Sequence, residues 1–290
     1  DGIRDSSVTG VQTCALPILT HHICLQFLPH REGVKYGVPE WVDKPRDESG
    51  AEFADDKTRR GNFFTKNLEG GGPLEVCYLP GIQAADYRPF GAGKFVAKGT
   101  DIIWQVHYTP TGKELTDYPE VGFTVSKTPP ARQYVSLQAT GPQDAGHFSI
   151  PPGNANWEAP HGEAIFEQDA ELVWLSPHMH LRGKDFKFEL VMPDGRRETL
   201  LNVPQYDFNW QLGYDLAKPV KIPKGAKLVT TSHFDNSPNN KFNPDPSKAV
   251  HYGNMTWEEM YTGFFAVTVN KGVNPNKVLT RPAFSAGSGG

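Results

Sequence analysis

The sequence contains few cysteines and no long apolar run. Three of its 290 residues are cysteine. Cys14 lies in an N-terminal segment that we expect not to belong to the fold, so Cys24 and Cys77 allow at most one disulfide and exclude a disulfide-rich scaffold. No apolar run approaches the roughly 20 residues of a membrane-spanning helix, and we therefore expect no membrane-spanning segment.

Concentrated positive charge is also missing. The formal net charge is −4 at pH 7, and no stretch of Lys and Arg interrupts this balance. Nucleic-acid binding proteins carry a basic patch or stripe, so a nucleic-acid partner is not expected. A small-molecule partner remains.

Long helical periodicity is absent as well, because 25 Pro and 29 Gly interrupt the chain at short intervals. Short alternating runs such as "ELVWLS", "DFKFELVM" and "DIIWQVHY" stand between turn signals such as "PDG" and "IPKG". This pattern predicts an all-β fold of antiparallel strands, of the sandwich or jelly-roll type.

An internal repeat indicates two domains. "FVAKGTDIIWQVHYTP" (95–110) and "KIPKGAKLVTTSHFDN" (221–236) share a Lys-Gly pair, an equal step to a histidine and a following aromatic residue. The two copies lie about one domain length apart. We predict tandem domains over 19–130 and 131–270, divided where Pro129 and Pro130 break any strand, and a flexible tail over 271–290.

The first eighteen residues, "DGIRDSSVTGVQTCALPI", show neither strand alternation nor helical periodicity. Their charged start is wrong for a signal peptide. The segment resembles the conceptual translation of a DNA-sequencing adapter. We therefore expect that residues 1–18 do not belong to the fold, that the first domain lacks its N-terminal strands, and that any targeting signal is not visible.

The motif "HMH" (178–180) ends an apolar run. On a strand, residues i and i+2 face the same side, so His178 and His180 project together while Met179 points away. Two imidazoles on one face can form half of a metal site. The alternative is a pair of half-exposed strand histidines, since histidine is commonly intermediate in burial.

Further donors occur in both halves. The first half has His21, His22 and His107, and the second has His233, His251 and Met260. A thioether is a soft ligand that selects copper(I), although a single methionine is also ordinary core filler. His147 and His161 fall in a Pro/Gly/Asn-rich connector and should face solvent.

Two other metal enzymes are possible from these donors. Three histidines with an open position also suit a catalytic zinc hydrolase, which Met260 disfavours. A cupin would need a glutamate four or five residues after the second histidine of H-x-H, where Lys184 and Asp185 stand instead.

The ordered set "HH" (21–22), "QVHY" (105–108), "HMH" (178–180) and "EEM" (258–260) resembles the type II copper, ascorbate-dependent monooxygenases. That family includes peptidylglycine α-hydroxylating monooxygenase and dopamine β-monooxygenase. "FSIPPG" (148–153) is also like its second domain. The resemblance extends from residue 19 to about 268. It implies two tandem jelly-roll domains, each with one copper, separated by a solvent cleft.

The resemblance also implies a ligand set and an activity. His21, His22 and His107 match the electron-transfer copper, and His178, His180 and Met260 match the oxygen-activating copper. The implied activity is hydroxylation of a C–H bond of a small organic substrate with O₂ and a one-electron reductant such as ascorbate. A periplasmic or extracellular location is implied with it.

Two departures from the family narrow the expected substrate and the expected subgroup. Peptide-hydroxylating members clamp a carboxylate with an arginine and a tyrosine at positions held here by Ser176 and Phe264, so the charge-assisted anchor is missing. Two family cysteines are replaced by His233 and Tyr261, as in a disulfide-poor bacterial member. We expect His233 to hydrogen-bond within the loop 235–240 and leave it out of the ligand set.

A non-catalytic β-sandwich module remains an alternative to the monooxygenase. Such a module would bind copper for storage or sensing, or would bind another ligand with no redox role. Copper-dependent oxygen consumption with ascorbate separates this alternative from the enzyme.

Overall fold

A computed structural model describes residues 6–14, 20–30, 32, 36, 76–78, 85–109, 111–143, 146–253 and 255–280. These residues form β-strands joined by turns, with short 3-10 helices at Arg88–Phe90 and Pro275–Lys277. The predicted all-β fold is confirmed. None of the described helices is long and apolar enough to cross a membrane.

The strands of the first half, in chain order, are β1 Ser6–Cys14, β2 Thr20–Pro29, β3 Val76–Tyr78, β4 Ala85–Asp86, β5 Ala92–Val96, β6 Thr100–Tyr108 and β7 Glu120–Val125. Those that follow are β8 Arg132–Thr140, β9 Ser149–Ile150, β10 Trp157–Glu158, β11 Gly162–Phe166, β12 Ala170–Met179, β13 Gly183–Val191, β14 Arg197–Val203, β15 Tyr214–Ile222, β16 Lys227–Phe234, β17 Val250–His251, β18 Tyr261–Asn270 and β19 Leu279–Thr280.

The described strands form sandwich-like layers. The largest sheet has the order β15-β12-β18-β8-β5-β1-β4, with β7 also paired to β1. A second sheet has the order β14-β13-β16-β11-β19, with β10 beside β16, and a third has the order β3-β2-β6. Pairing is antiparallel throughout the described strands except between β5 and β8, which are parallel over two residue pairs.

Two apolar cores follow the two halves of the sequence. The larger contains phenylalanine, leucine and valine side chains from residue 135 to residue 278. The smaller is built from the first half, around Ile23, Leu25, Tyr87 and Val96. The division at 130/131 stays a prediction, and β8 connects the halves because it pairs with both β5 and β18.

The repeat forms the same local structure twice. Gly99 and Gly225 have φ values of 77° and 86°, in the left-handed region that a residue without Cβ adopts at low cost. Each glycine ends the turn that enters a strand, β6 or β16. His107 and His233 therefore occupy the last-but-one position of equivalent strands.

The expectation that residues 1–18 lie outside the fold is wrong for the described part of that segment. Ser6–Cys14 form β1, which pairs with β4, β5 and β7. Val8 and Val11 are buried in the smaller core. A bulge between Val8 and Gly10 shifts the register, so the apolar residues are three apart and the simple alternation of a strand is hidden.

The expectation of a flexible tail is also wrong for its described residues, 271–280. Pro275–Lys277 form a 3-10 turn capped by the Asn274 side chain, and β19 pairs with β11. Val278 is fully buried in the larger core. The turn brings this apolar residue back to the sheet after the polar stretch "NPNK".

A disulfide joins Cys24 to Cys77. The two cysteines face each other in the register between β2 and β3. The one bridge that the sequence allows is therefore formed, and it connects residues 53 positions apart in the sheet β3-β2-β6.

Candidate metal centre

Strand β12 presents the H-x-H motif as its alternation predicts. Met179 is fully buried in the larger core, whereas the rings of His178 and His180 lie on the other face with centroids 5.4 Å apart. The apolar run before the motif holds the strand between β15 and β18. The two imidazoles are thus fixed side by side by the strand.

Each imidazole has a hydrogen-bond acceptor at its Nδ1 atom. His178 Nδ1 is 2.6 Å from Gln211 Oε1, and His180 Nδ1 is 3.2 Å from the Glu258 carbonyl oxygen. The Gln211 amide nitrogen donates to the Phe208 carbonyl, which sets the orientation of that amide. Oxygen acceptors require the proton on Nδ1, so the Nε2 lone pairs remain for a metal.

Both imidazoles are held neutral. Burial lowers the pKa of His178, opposed by its hydrogen bond to Gln211. Burial, with His178 as the next cause, lowers the pKa of His180 to about 3. A histidine binds metal in its neutral form, so the fold keeps the pair in the ligating state.

Met260 directly precedes β18 and is half-buried. In the antiparallel register, Met179 lies opposite Tyr261 and His178 opposite Thr262. Continuing this register by one residue places Met260 opposite His180. Directly opposed residues share a face of the sheet, so the thioether belongs to the face that carries the two histidines. Imidazoles with one thioether suit copper better than magnesium or calcium, which prefer oxygen ligands.

A buried glutamate supports the end of the motif, and sequence reasoning missed this role. Glu259 accepts hydrogen bonds from the backbone N–H groups of His180 (2.9 Å) and Arg182 (2.6 Å). Burial raises the pKa of Glu259 to about 8, opposed by the backbone N–H of Arg182. Arg182 is itself buried and donates to Asn236 and to the Trp257 carbonyl. The sequence shows only that two glutamates are adjacent, and does not indicate that the second is buried against the backbone of the motif.

The first half contributes its histidines from β2 and β6. His22 and His107 are opposite each other in the register, and their ring centroids are 5.4 Å apart. His22 is buried and His107 is half-buried. His21 lies in β2 at the register shift between Thr20 and His22; its side chain lies outside the described residues.

The two histidine sets meet in one cluster. The ring centroids of His22 and His178 are 6.0 Å apart. The solvent cleft that the family resemblance implies is therefore not present between these two side chains. Within the described part of the chain, no group of three or more His, Cys, Asp or Glu side chains is arranged to hold a metal ion.

Apolar rings surround the H-x-H motif. Phe264 lies 6.0 Å from the His178 ring, and Phe208 lies 6.1 Å from the His180 ring, measured between centroids. Ser176 is buried, donates to the Leu212 carbonyl and lies opposite Phe264. The two positions at which the resembled family holds its carboxylate clamp thus present a small hydroxyl and an aromatic ring beside the face that carries His178 and His180.

His233 and His161 lie beside acidic residues of the second sheet. His233 Nδ1 lies 2.7 Å from Asp185 Oδ1 and its Nε2 lies 3.6 Å from Glu158 Oε2. Its expected hydrogen bond within the loop 235–240 is wrong, because the side chain lies across neighbouring strands. His161 and His251 are exposed, as the connector composition predicted for His161.

Comparisons with known proteins give only distant structural similarity. No known protein family and no curated protein matches the chain. The structure of the infectious bursal disease virus Gx strain is similar, with 10% identity, a TM-score of 0.26 and coverage of 94% of this chain and 60% of that one. The crystal structure of that virus's VP2 subviral particle is similar with 10% identity and a TM-score of 0.25. The match covers 96% of this chain and 60% of that one. The chain spans about 60% of the length of these viral chains.

Proposed function

We propose that this protein is a copper-dependent monooxygenase that hydroxylates a C–H bond of a small organic substrate, using O₂ and a one-electron reductant such as ascorbate. The observation that carries the proposal is the pair of neutral, oriented imidazoles at His178 and His180, with Met260 at the next register position. The pairing of His22 with His107, with ring centroids 5.4 Å apart, supports a second set of donors. The family resemblance points to the same residues.

Each set of donors has a defined role in this proposal. His178, His180 and Met260 would hold the oxygen-activating copper, and His21, His22 and His107 would hold the electron-transfer copper. When bound, copper supplies one-electron redox chemistry and an open position for O₂.

The surrounding residues of the chain orient the two histidine rings, shield them and select the substrate. Gln211 and the Glu258 carbonyl hold the protons of the two histidines on Nδ1. Phe208 and Phe264 exclude water from the neighbourhood of the rings. Because Ser176 and Phe264 replace the carboxylate clamp, a glycine-extended peptide loses its anchor, and we infer that a substrate without a terminal carboxylate is the native one.

Oxygen consumption tests this function. Purified protein loaded with copper should consume O₂ when ascorbate and a panel of small uncharged aromatic and aliphatic compounds are supplied. Isotope-labelled dioxygen should place one labelled atom in the product of an accepted compound. Zinc-loaded protein and a His178→Ala variant serve as controls and should give neither result.

A non-catalytic copper-binding module is the second candidate. The close packing of His22 against His178 favours it, because a single enclosed cluster is also suited to holding metal without turnover. Under this alternative the protein binds copper tightly, yet O₂ uptake above that of free copper and labelled product are both absent.

We also propose a periplasmic or extracellular location. The disulfide between Cys24 and Cys77 supports it, since disulfides persist in oxidising compartments. Trapping of free thiols in protein taken directly from cells tests this point: the bridge should be found closed.

A further inference from the structure

A row of alternating carboxylates and imidazoles crosses the outer face of the second sheet. His233 on β16 lies directly opposite Glu158 on β10 and, on its other side, opposite Asp185 on β13. Their neighbours Phe186 and Phe234 are fully buried in the core, so this row faces solvent. His161, which follows β10, extends the row at the Glu158 end.

The contacts along the row converge on the Glu158 carboxylate. His161 Nε2 lies 3.1 Å from Glu158 Oε1, and His233 Nε2 lies 3.6 Å from Glu158 Oε2. Two donors bound to the same zinc ion are about 3.4 Å apart, as bond lengths near 2.1 Å and tetrahedral angles require. The two imidazoles therefore already lie at ligand spacing from the same carboxylate.

The Nδ1 side of His233, away from Glu158, hydrogen-bonds to a carboxylate, as the second ring nitrogen of a metal-binding histidine commonly does. Its Nδ1 atom lies 2.7 Å from Asp185 Oδ1, so this carboxylate fixes the ring and directs the Nε2 atom toward Glu158, where a bound cation would take the place of the proton between the two groups. The hydrogen bond from His161 is the largest of the causes that lower the pKa of Glu158, so this group is a carboxylate at neutral pH.

We propose that His161, His233 and Glu158 form a divalent-cation site of the zinc class, with Asp185 orienting His233. The three donors do not yet surround one point, so binding requires a rotation of the Glu158 and His161 side chains. Both are about half exposed, at 53% and 46%, and are free to rotate at the surface. Water completes the coordination.

Such a site would connect two parts of the second half. Glu158 and His161 bracket the turn between β10 and β11, and His233 lies near the end of β16. A bound ion therefore fixes that turn to the centre of the sheet. Because the ion binds the folded chain, it raises the melting temperature by an amount that grows with the logarithm of its affinity.

Zinc titration of the metal-free full-length protein tests this site, followed by calorimetry and thermal melting. We expect His161→Ala and Glu158→Gln to lose one zinc-binding event, with at least a tenfold drop in affinity, and Asp185→Asn to weaken it by about 10- to 100-fold. His251→Ala removes another exposed histidine and should behave as wild type. His178→Ala affects the separate histidine cluster and should retain this event.

The outcomes separate the site from simple ion pairs. Loss of one zinc equivalent and of the zinc-dependent rise in melting temperature in His161→Ala, with both kept in His178→Ala, supports the proposal. Equal zinc stoichiometry and affinity in wild type, His161→Ala and Glu158→Gln would overturn it. His161 is a surface side chain, so these readings do not depend on whether a His233→Ala variant folds.

Discussion

Met260 provides the one soft donor next to the H-x-H motif. We predict that Met260→Ile lowers copper-dependent hydroxylation by orders of magnitude, because an isoleucine cannot ligate. Stability should change by less than about 1.5 kcal/mol, as for a swap that conserves volume and apolarity. Product formation and a thermal melt measure the two effects separately.

Met192 offers a matched control for that substitution. It is partly buried against the larger core and lies in the turn after β13. Met192→Ile should keep full activity. Full activity in Met260→Ile as well would assign Met260 to core packing instead.

Gln211 orients His178 through a hydrogen bond to its Nδ1 atom. Replacing it with leucine keeps a similar volume but removes the amide oxygen 2.6 Å from His178 Nδ1. We predict a fall in copper affinity of about 10- to 100-fold, the usual cost of losing such a partner. Copper titration against the exposed-site control Gln168→Leu checks this; equal affinities would show that the hydrogen bond does not tune the site.

The candidate site could be predicted from the sequence only in part. Alternation placed His178 and His180 on one face, and the structure confirms this. The partners of these residues could not be found, because Gln211 reaches His178 from 33 positions away through a loop. Glu259 was equally hidden, since only the fold shows that it accepts backbone hydrogen bonds from the motif.

Strand β1 gives a test at the level of a whole element. It lies between β5 and β7 and buries Val8 and Val11, each worth about 1.5–3 kcal/mol when fully buried. We predict that deleting residues 1–18 lowers the free energy of unfolding by at least about 3 kcal/mol. Chemical denaturation of the full and shortened chains measures this difference.

The result of that deletion also decides between two views of the segment. Equal stability of the two chains would mean that residues 1–18 add nothing to the fold, as their resemblance to a translated adapter implies. A large loss, with exposure of the edges of β5 and β7, would make β1 an integral strand.

Regular elements were predictable where the pattern is regular. The alternating runs of β6, β12, β13 and β16 appear in the structure as strands. Two strands, β1 and β19, lie in segments that were not expected to belong to the fold, for physical reasons: the bulge in β1 hides its alternation, and β19 is too short to show a period. The residue that this segment buries is Val278, which directly precedes β19.

The molecule as a whole brings together histidines that are far apart in sequence. β8 pairs with strands of both halves and joins them in one sheet. His22 and His178 come from different sheets yet have ring centroids 6.0 Å apart. The repeat indicated two similar units but could not show that their histidines meet.

Metal content per chain tests the dicopper account most directly. The protein should be loaded with copper, freed of excess metal and analysed beside His107→Ala and His178→Ala. We predict that the wild-type chain binds two more copper ions than a double variant lacking both His107 and His178. Each single variant should bind one copper ion fewer than the wild type. Equal copper in all these chains, or a preference for zinc at the histidine cluster, would contradict the account.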